Sequence, residues 1–236
     1  MTKQEIQSGC RDGIPIALGY FSVSFSFGIM AMGGGFSVFQ AALTSLTNMT
    51  SAGQFAGLQI VIAGGTLLEM AATQLIINLR YALMSLSLSQ KLSEKVTMRQ
   101  RLMIAFANTD EIFAVAMSHG KELSFPYMIG LQSLPILGWT AGTACGAAAG
   151  SVLPASVNSA LSVALYGMFM AVVIPAAKKA VSVLSVVLLS AFMSCLLYYV
   201  PAFKGISAGM SIILCTVAVS AAGAVLFPLP EEGGDE

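Results

Sequence analysis

Residues 108–116 read NTDEIFAVA and place two adjacent acids, Asp110 and Glu111, in a stretch that is otherwise mostly apolar. Whether such acids are unusual depends on the solvent around the chain, and the composition identifies that solvent. The 236 residues are 56% hydrophobic and only 9% charged, with a mean hydropathy of +0.83, whereas a soluble domain carries roughly 25% charged residues. The sequence therefore predicts an all-α, polytopic integral membrane protein, in which acids at this position are costly.

Composition and motifs argue against several other classes of protein. Lys+Arg and Asp+Glu balance at 11 each, and no basic cluster is interleaved with aromatics, so no nucleic-acid partner is expected. The four cysteines are scattered without a Cys-x-x-Cys pair, which predicts no metal site and no cofactor. Gly205-x-Ser207-x-Gly209 matches a hydrolase nucleophile pattern, but His119 is the only histidine in the chain, so no enzyme is expected.

The apolar runs predict about seven to eight membrane segments, because a helix needs roughly 20 residues to cross a bilayer. We assign them to one transporter domain at 1–230, with an N-terminal tail at 1–12 and an acidic tail at 231–236. Pro15 fits the first turn of the first segment. The run at 36–47 is too short for a comfortable crossing, which favours a re-entrant or half-depth piece, and the run at 102–117 is apolar except for the NTDE in its middle. The remaining runs are 13–32, 54–78, 126–150, 158–177, 181–200 and 206–227.

Basic residues orient the chain in the membrane. The segment 80–101 carries five basic residues against the single acid Glu94, so the positive-inside rule predicts a cytoplasmic loop. Lys3 and Arg11 place the N-terminus on the same side. If every segment after this loop crossed fully, the pair Lys178-Lys179 would fall outside, against the rule. We therefore predict that 102–117 is a broken segment.

Small residues recur at helical contact spacing. Gly142, Gly146 and Gly150 form two overlapping G-x-x-x-G units, which let helix backbones approach closely where lipid removes the hydrophobic drive. The motif predicts tight helix packing, either within the chain or with a partner, a second copy of the chain included.

Polar side chains at membrane depth are the candidate functional residues. On a continuous helix from Gln54 to Asn78, Glu69 would lie roughly 20 Å from the start, past the midpoint. It would share one face with Thr66, Thr73 and Arg80. Two interpretations of Glu69 stay open: a protonatable carboxylate beside a translocation path, or a hydrogen-bonded acid that packs one helix on another.

The segment Asn108-Thr109-Asp110-Glu111 predicts a helix start. Asn108 would be the N-cap, and Glu111 would reach back to it as in a capping box. A cap in mid-membrane means that the helix is broken there, and broken helices present polar groups to substrates in many transporters. The two acids point about 100° apart on a helix and so cannot share one proton. They either cap the helix or serve a substrate or a proton.

These segments also carry a family resemblance. The order GCRDGIPIALGY (9–20), SAGQF (51–55), NLRYALMSLSL (78–88), NTDEIFA (108–114) and Trp139 before a glycine-rich helix resembles the AzlC family. Its members are the large subunits of branched-chain amino acid exporters. The resemblance implies a multi-pass permease of the bacterial inner membrane that exports valine, leucine, isoleucine and sometimes methionine. It also implies coupling to the proton gradient and a small AzlD-type partner subunit. The implicated motif positions are Gln54, Phe55, Asn78, Arg80, Thr109, Asp110 and Glu111.

A zwitterionic substrate fits the broken-helix interpretation. Asp110 or Glu111 could accept the ammonium group or carry the coupling proton, and backbone N–H groups at the Asn108 helix start could bind the carboxylate. We therefore predict a subunit in the lipid bilayer that exports branched-chain and other small apolar amino acids. The alternative is a passive pore or a structural membrane subunit whose partner carries the transport.

Overall fold

The computed structural model describes residues 2–152, 170, 173–175, 177–203 and 205–228. Within these ranges the chain is helical and has no strand, apart from one isolated bridge between Leu92 and Leu123. The predicted all-α class is therefore confirmed. Most of the predicted run at 158–177 and the whole acidic tail at 231–236 lie outside the described residues.

The described helices are mostly shorter than the predicted segments. Their bounds in chain order are α1 Thr2–Gly33, α2 Val38–Thr47, α3 Ala52–Ile62, α4 Leu67–Asn78, α5 Arg80–Lys91, α6 Met98–Ala105, α7 Asp110–Ser118, α8 Phe125–Val152, α9 Val181–Tyr199 and α10 Ala208–Leu226, with a 3-10 turn at Pro201–Phe203 between the last two. Among the described residues only α1, α9 and α10 are long and apolar enough to cross a membrane by composition. This is fewer than the predicted seven to eight, because several apolar runs are broken into helices of 8 to 12 residues.

The chain divides into two compact units. The first comprises Met1–Leu58 and Asn78–Tyr166, and the second comprises Gln59–Ile77 and Gly167–Glu236. The single domain at 1–230 stays a prediction.

The first unit is built on a close, parallel contact between α1 and α8. A side-chain carbon added to Gly138 would overlap the Ala17 carbonyl, and one added to Gly146 would overlap the Phe25 carbonyl. Gly130 meets Ile6 in the same way. The residue numbers of the contacting positions increase in parallel along the two helices, so the helices run in the same direction. The predicted small-residue packing is therefore confirmed as a contact within the chain.

The start of α1 differs from the prediction. The helix begins at Thr2, so Pro15 lies inside it and not in its first turn. Residues 2–12 are therefore helical, although they were expected to form a tail. The close contacts of Gly9 with Tyr127 and of Gly13 with Leu131 explain this extension, because α8 packs against this part of α1 as well.

Helix α2 turns back along α8 after α1 ends. Ser37 caps α2, and its hydroxyl and the Gln40 side chain form a reciprocal capping box. At the other end of α2, Ser45 reaches Thr143 of α8. The helix ends at Thr47, and the polar residues 48–51 separate it from α3. The short predicted run at 36–47 is thus a short helix followed by a break, as expected.

Helices α6 and α7 form a hairpin whose two ends lie together. Ser93, just before α6, donates its backbone N–H to Leu123, just after α7, and the N–H of Leu123 donates to Lys91. The helices are separated at residues 106–109. The prediction of a broken segment at 102–117 is confirmed, and the geometry adds that this segment returns to the end from which it started.

Basic side chains stabilise the base of this hairpin. Arg101 donates to the Ser89 carbonyl near the end of α5 at 3.0 Å, and Lys91 donates to the Met117 carbonyl near the end of α7 at 2.5 Å. The last carbonyls of a helix have no intrahelical donor, so basic side chains are favourable there. The range 80–101, predicted as a loop, thus contains the helix α5, and the intervening turn is confined to 92–97.

The second unit contains a break that the sequence interpretation missed. The predicted continuous helix from 54 to 78 is wrong, because α3 ends at Ile62 and α4 begins at Leu67. Gly64 adopts a positive φ of 68° in the intervening turn, a conformation that glycine adopts without steric cost. Glu69 therefore lies in the first turn of α4 and not deep inside a long helix.

The glycine contact between α1 and α8 predicts a matched pair of outcomes. Gly146→Ala should lower the melting temperature by several degrees, because separating the two backbones costs about 1–3 kcal/mol. Gly19→Ala is the control, since Gly19 lies on α1 with nothing within 4 Å. It should leave the melting temperature unchanged or raise it slightly. Thermal unfolding in detergent measures both, and equal effects would contradict the assigned contact.

The hairpin predicts a labelling pattern for single cysteines in a cysteine-free background. Glu94→Cys and Gly120→Cys should react with an impermeant thiol reagent from one side of the membrane. Gly33→Cys, at the far end of α1, should react from the other side. Labelling of positions 94 and 120 from opposite sides would mean that the α6–α7 segment crosses the membrane.

Candidate functional site

The tip of the α6–α7 hairpin is a buried polar turn. Ala107, Asn108 and Thr109 are at most 5% exposed. A helix that ends inside the protein leaves carbonyl groups without intrahelical donors, and Gln132 of α8 supplies a donor to the Ile104 carbonyl at 2.7 Å. The tip is thus stabilised from outside the hairpin.

The helix start at the tip differs in detail from the prediction. The N-cap of α7 is Thr109, without a side-chain capping bond, and not Asn108. The Asn108 amide instead donates to Ser85 of α5 at 3.2 Å, while its carbonyl oxygen is buried without a hydrogen-bond partner. Glu111 does not close a capping box but accepts a hydrogen bond from Tyr20. Tertiary partners have replaced the local cap in both cases.

Asp110 is held in an ion pair. Its carboxylate lies 2.5 Å from the guanidinium of Arg80, the first residue of α5, and each side chain is a little under half exposed. The same guanidinium lies over the Tyr81 ring, 5.0 Å from its centroid. The charge of Asp110 is therefore neutralised within the chain, and the pair attaches the hairpin tip to α5.

Glu111 points to a different helix and has a different partner. The Tyr20 hydroxyl of α1 lies 2.5 Å from Glu111 Oε2 and 2.5 Å from Thr109 Oγ1. In the described part of the chain, no basic residue forms an ion pair with Glu111. The predicted divergence of the two acids is confirmed, and it gives them unlike surroundings.

A chain of buried polar groups continues from Tyr20 to the break after α2. The Tyr20 ring meets Trp139 edge-on, with 5.3 Å between the ring centroids. The Trp139 indole N–H donates to Gln54 Oε1 at 2.9 Å, and the Gln54 amide donates to Ser45 at 2.6 Å. Ser45 in turn lies 2.6 Å from Thr143. These contacts link the hairpin tip, α1, α8 and the start of α3.

Of the other predicted polar positions, Gln54 belongs to this arrangement, and Asn78 lies close to Arg80 in the sequence. Both polar atoms of Gln54 are engaged by protein groups, which makes it a structural bridge between α2, α3 and α8. Asn78 is the last residue of α4 and stands two residues before Arg80. Of the predicted site residues, the structure brings together Asn108, Thr109, Asp110, Glu111 and Arg80 at the hairpin tip.

Glu69 belongs to the second unit and acts as a helix cap there. Its carboxylate accepts hydrogen bonds from the Ser207 hydroxyl at 2.5 Å and from the Gly209 backbone N–H at 2.8 Å, at the start of α10. Ser207 is itself the N-cap of α10 and accepts from Met210. The structure therefore favours the packing interpretation of Glu69, and it gives Ser207 a capping role.

An open cleft lies at the charged end of the first unit, away from the hairpin tip. Its volume is about 510 Å³, and its lining includes Glu5, His119 and Lys121. His119 stacks on Tyr127, whose hydroxyl donates to Asp12 at 2.8 Å. The N-terminal segment and the loop after α7 thus lie at the same end of the unit. This agrees with the sequence prediction that the N-terminus and the segment 80–101 lie on the same side.

Several residues of the site were not recognised as functional in the sequence. Tyr20 and Trp139 occur in the segments that carried the family resemblance, but spacing alone does not show that their rings meet. Ser45 and Gln132 lie in apolar runs, where one neutral polar residue has many ordinary explanations, and Ser85 lies in the segment 80–101 that the sequence predicts as a loop. In the hydrogen bonds of Ser85 and Gln132, the donor and the acceptor are at least 23 residues apart in the sequence, so no local pattern indicates them.

Interrupted helices, a buried polar chain and an ion pair in so apolar a sequence define a multi-pass α-helical membrane protein of a transport-related type. A family model described as AzlC protein matches residues 15–153, and the chain belongs to the AzlC family. The matched range contains every residue of the hairpin tip and of the polar chain from Tyr20 to Thr143.

Two curated relatives support the assignment. An uncharacterized membrane protein of Archaeoglobus fulgidus is 34% identical over 171 residues, which is 72% of this chain and 74% of the relative. The inner membrane protein YgaZ of Escherichia coli K12 is 32% identical over 170 residues, which is 69% of each chain. No solved structure matches the chain. The relatives agree with the membrane location predicted from composition.

The ion pair predicts non-additive effects on stability. Arg80→Gln and Asp110→Asn should each lower the free energy of unfolding, and the double variant should lose less than the sum of the two. The expected coupling is about 0.5–3 kcal/mol, the range for residues in direct contact. Arg99→Gln combined with Asp110→Asn is the control pair and should be additive. Additivity in the Arg80 cycle would show that the contact does not stabilise the fold.

Proposed function

We propose that this protein is a membrane permease subunit that exports branched-chain and other small apolar amino acids across a bacterial inner membrane, coupled to protons. It would need no cofactor and would perform no chemical conversion. The observation that carries the proposal is the unequal pairing of two adjacent acids at a buried helix break. Asp110 is neutralised by Arg80, whereas Glu111 has no ion-pair partner among the described residues and accepts a hydrogen bond from the Tyr20 hydroxyl.

A carboxylate without an ion-pair partner in the described part of the chain, such as that of Glu111, suits a cationic group. Its carboxylate can accept the ammonium of an amino acid or a coupling proton, and both roles fit one site if the proton and the substrate alternate. The unpartnered carbonyl oxygen of the neighbouring Asn108 is a second acceptor at the same turn. A buried acceptor without a donor is unfavourable, so a bound ammonium group would relieve it.

The first turn of α7 suits the substrate carboxylate. The first backbone N–H groups of a helix have no intrahelical acceptor and readily bind anions. In α7 this turn begins at Asp110 and lies directly after the buried tip. An amino acid could therefore place its two charged groups on one hairpin tip.

The apolar surroundings suit a branched side chain. Ile104 and Ile112 flank the tip, and both belong to a buried cluster that also holds Ile16, Leu88 and Met49. A hydrophobic pocket distinguishes side chains that differ by one methylene only weakly, by about 1–3 kcal/mol. The proposal therefore includes valine, leucine, isoleucine and methionine.

The partner part of the proposal rests on the family. We expect a small AzlD-type membrane subunit to bind this chain, and a second copy of the chain is the other candidate partner. The competing function is a passive pore or a structural subunit whose partner carries the transport. That alternative predicts no stabilisation of the isolated chain by amino acids. A melting series with leucine, valine, isoleucine and methionine in detergent distinguishes the two functions.

Transport by acid variants tests the mechanism directly. In proteoliposomes that contain the chain and its partner subunit, Glu111→Gln should abolish the pH dependence of leucine counterflow. It should also slow the counterflow by about tenfold or more, because a hydrogen bond to a charged group contributes about 1.5–3 kcal/mol. Asp110→Asn should reduce the amount of folded protein but keep the pH dependence. Glu94→Gln, in the exposed turn before α6, is the control and should behave as wild type. Full pH-dependent counterflow in both acid variants would remove the acids from the mechanism.

A further inference from the structure

We propose that Tyr20 is a positioning residue that transmits the protonation state of Glu111, through Trp139 and Gln54, to the helix break at residues 48–51. The inference rests on the proposed function in one respect only, which is that Glu111 exchanges a proton. It assigns a coupling role to three side chains that do not themselves need to touch the substrate.

The first step is the single proton of the Tyr20 hydroxyl. This hydroxyl lies 2.5 Å from both Glu111 and Thr109, but it can donate to only one of them. When Glu111 is ionised, its carboxylate accepts the hydrogen bond from the Tyr20 hydroxyl, because a charged acceptor forms the stronger bond. Thr109 then donates a hydrogen bond to the Tyr20 oxygen. When Glu111 gains a proton from water, its carboxyl group becomes a donor to Tyr20, and Tyr20 turns its own proton to Thr109. The tyrosine remains neutral in both states.

The second step is the contact between two rings. Tyr20 is 8% exposed and Trp139 is 2% exposed, and the rings meet at 71° with centroids 5.3 Å apart. Buried side chains in such close packing have little room to move independently. A change in the length or direction of the Tyr20 hydrogen bonds therefore displaces the edge of the Trp139 indole.

The third step carries the displacement to the break after α2. Trp139 holds Gln54 in the first turn of α3, and Gln54 holds Ser45 in the last turn of α2. These two bonds bridge the helix ends on either side of residues 48–51. Ser45 is also within hydrogen-bond distance of Thr143, so the bridge is attached to α8. Networks of buried hydrogen bonds are cooperative, and weakening one bond affects its neighbours.

Among the described residues, the charged and titratable groups around Glu111 come from three helices. Tyr20 faces it from α1, and Asp110 precedes it on α7. Arg80 and Tyr81 face the tip from α5, where Arg80 is paired with Asp110. On α8 the nearest aromatic of the network is Trp139, which does not titrate. Lys91, His119 and Tyr127 lie at the opposite end of the hairpin.

The chain provides its own reporter, because Trp139 is the only tryptophan. We would measure its fluorescence from pH 4 to pH 9 on the full chain in detergent. The wild-type emission should change in one titration step. Glu111→Gln should abolish that step, and Tyr20→Phe should abolish it while leaving the chain folded. Asp110→Asn and Glu122→Gln should retain it, as should His119→Asn, which controls for titration at the open cleft. A step that persists in Glu111→Gln or in Tyr20→Phe would overturn the proposal.

A second measurement tests the far end of the relay. In a cysteine-free background, Ala52→Cys should react with a small thiol reagent at a rate that depends on pH. Adding Gln54→Met should remove that dependence, since it breaks both bonds of the bridge and nearly preserves the volume. Equal pH dependence with and without Gln54→Met would overturn the role of Gln54.

These outcomes separate the relay from the proposed function. Transport that depends on Glu111 and pH, together with a Trp139 signal that does not titrate, would overturn the relay and leave the permease proposal standing. A Trp139 titration that requires Glu111 and Tyr20, together with no amino acid transport, would support the relay and overturn the permease proposal.

Discussion

The close approach of α1 and α8 is the contact on which the rest of the first unit depends. Glycines on both helices remove the side chains that would hold the backbones apart, and they do so from Gly9 to Gly146. Lipid provides no hydrophobic drive for helices to associate, so packing of this kind must supply the stability. Helix α2 lies on α8, and the hairpin tip contacts both partners through Tyr20 and Gln132. Loosening the pair would therefore move Tyr20, Trp139 and Gln132, the groups that these two helices contribute to the candidate site.

A second constraint is that each helix end inside the membrane needs hydrogen-bond partners. The hairpin tip meets this need with side chains from other helices, such as Gln132 for the Ile104 carbonyl and Ser85 for the Asn108 amide. In the second unit Glu69 accepts hydrogen bonds from Ser207 and Gly209 at the start of α10. The acids among the candidate site residues therefore have different surroundings. Glu69 caps α10 and Asp110 is paired with Arg80, whereas Glu111 accepts a hydrogen bond from Tyr20 and has no ion-pair partner among the described residues.

The sequence predicted the features that depend on local pattern. Apolar runs indicated the all-α membrane class, the glycine spacing indicated close packing, and the short run around NTDE indicated a broken helix. It failed where a distant partner decides the structure. Asn108 has the chemistry of an N-cap, but Ser85 lies within reach and takes its amide. The break at 63–66 was missed because Gly64 and Gly65 are ordinary residues in a glycine-rich membrane chain. The pairing of Arg80 with Asp110 spans 30 positions, and no local pattern specifies it.

The parallel direction of α1 and α8 has an electrical consequence. Each helix carries roughly half a positive charge at its N-terminus and half a negative charge at its C-terminus, and two parallel helices add these macrodipoles. The acids Glu5, Asp12 and Glu122 lie near the two N-termini and offset the accumulated positive potential. If this end faces the cytoplasm, as the basic residues predict, the inside-negative membrane potential favours the pair. For α1, which is long and apolar enough to span the bilayer, the gain is about 1 kcal/mol for each 100 mV, so an energised membrane would help to hold α1 and the helix packed on it in their orientation.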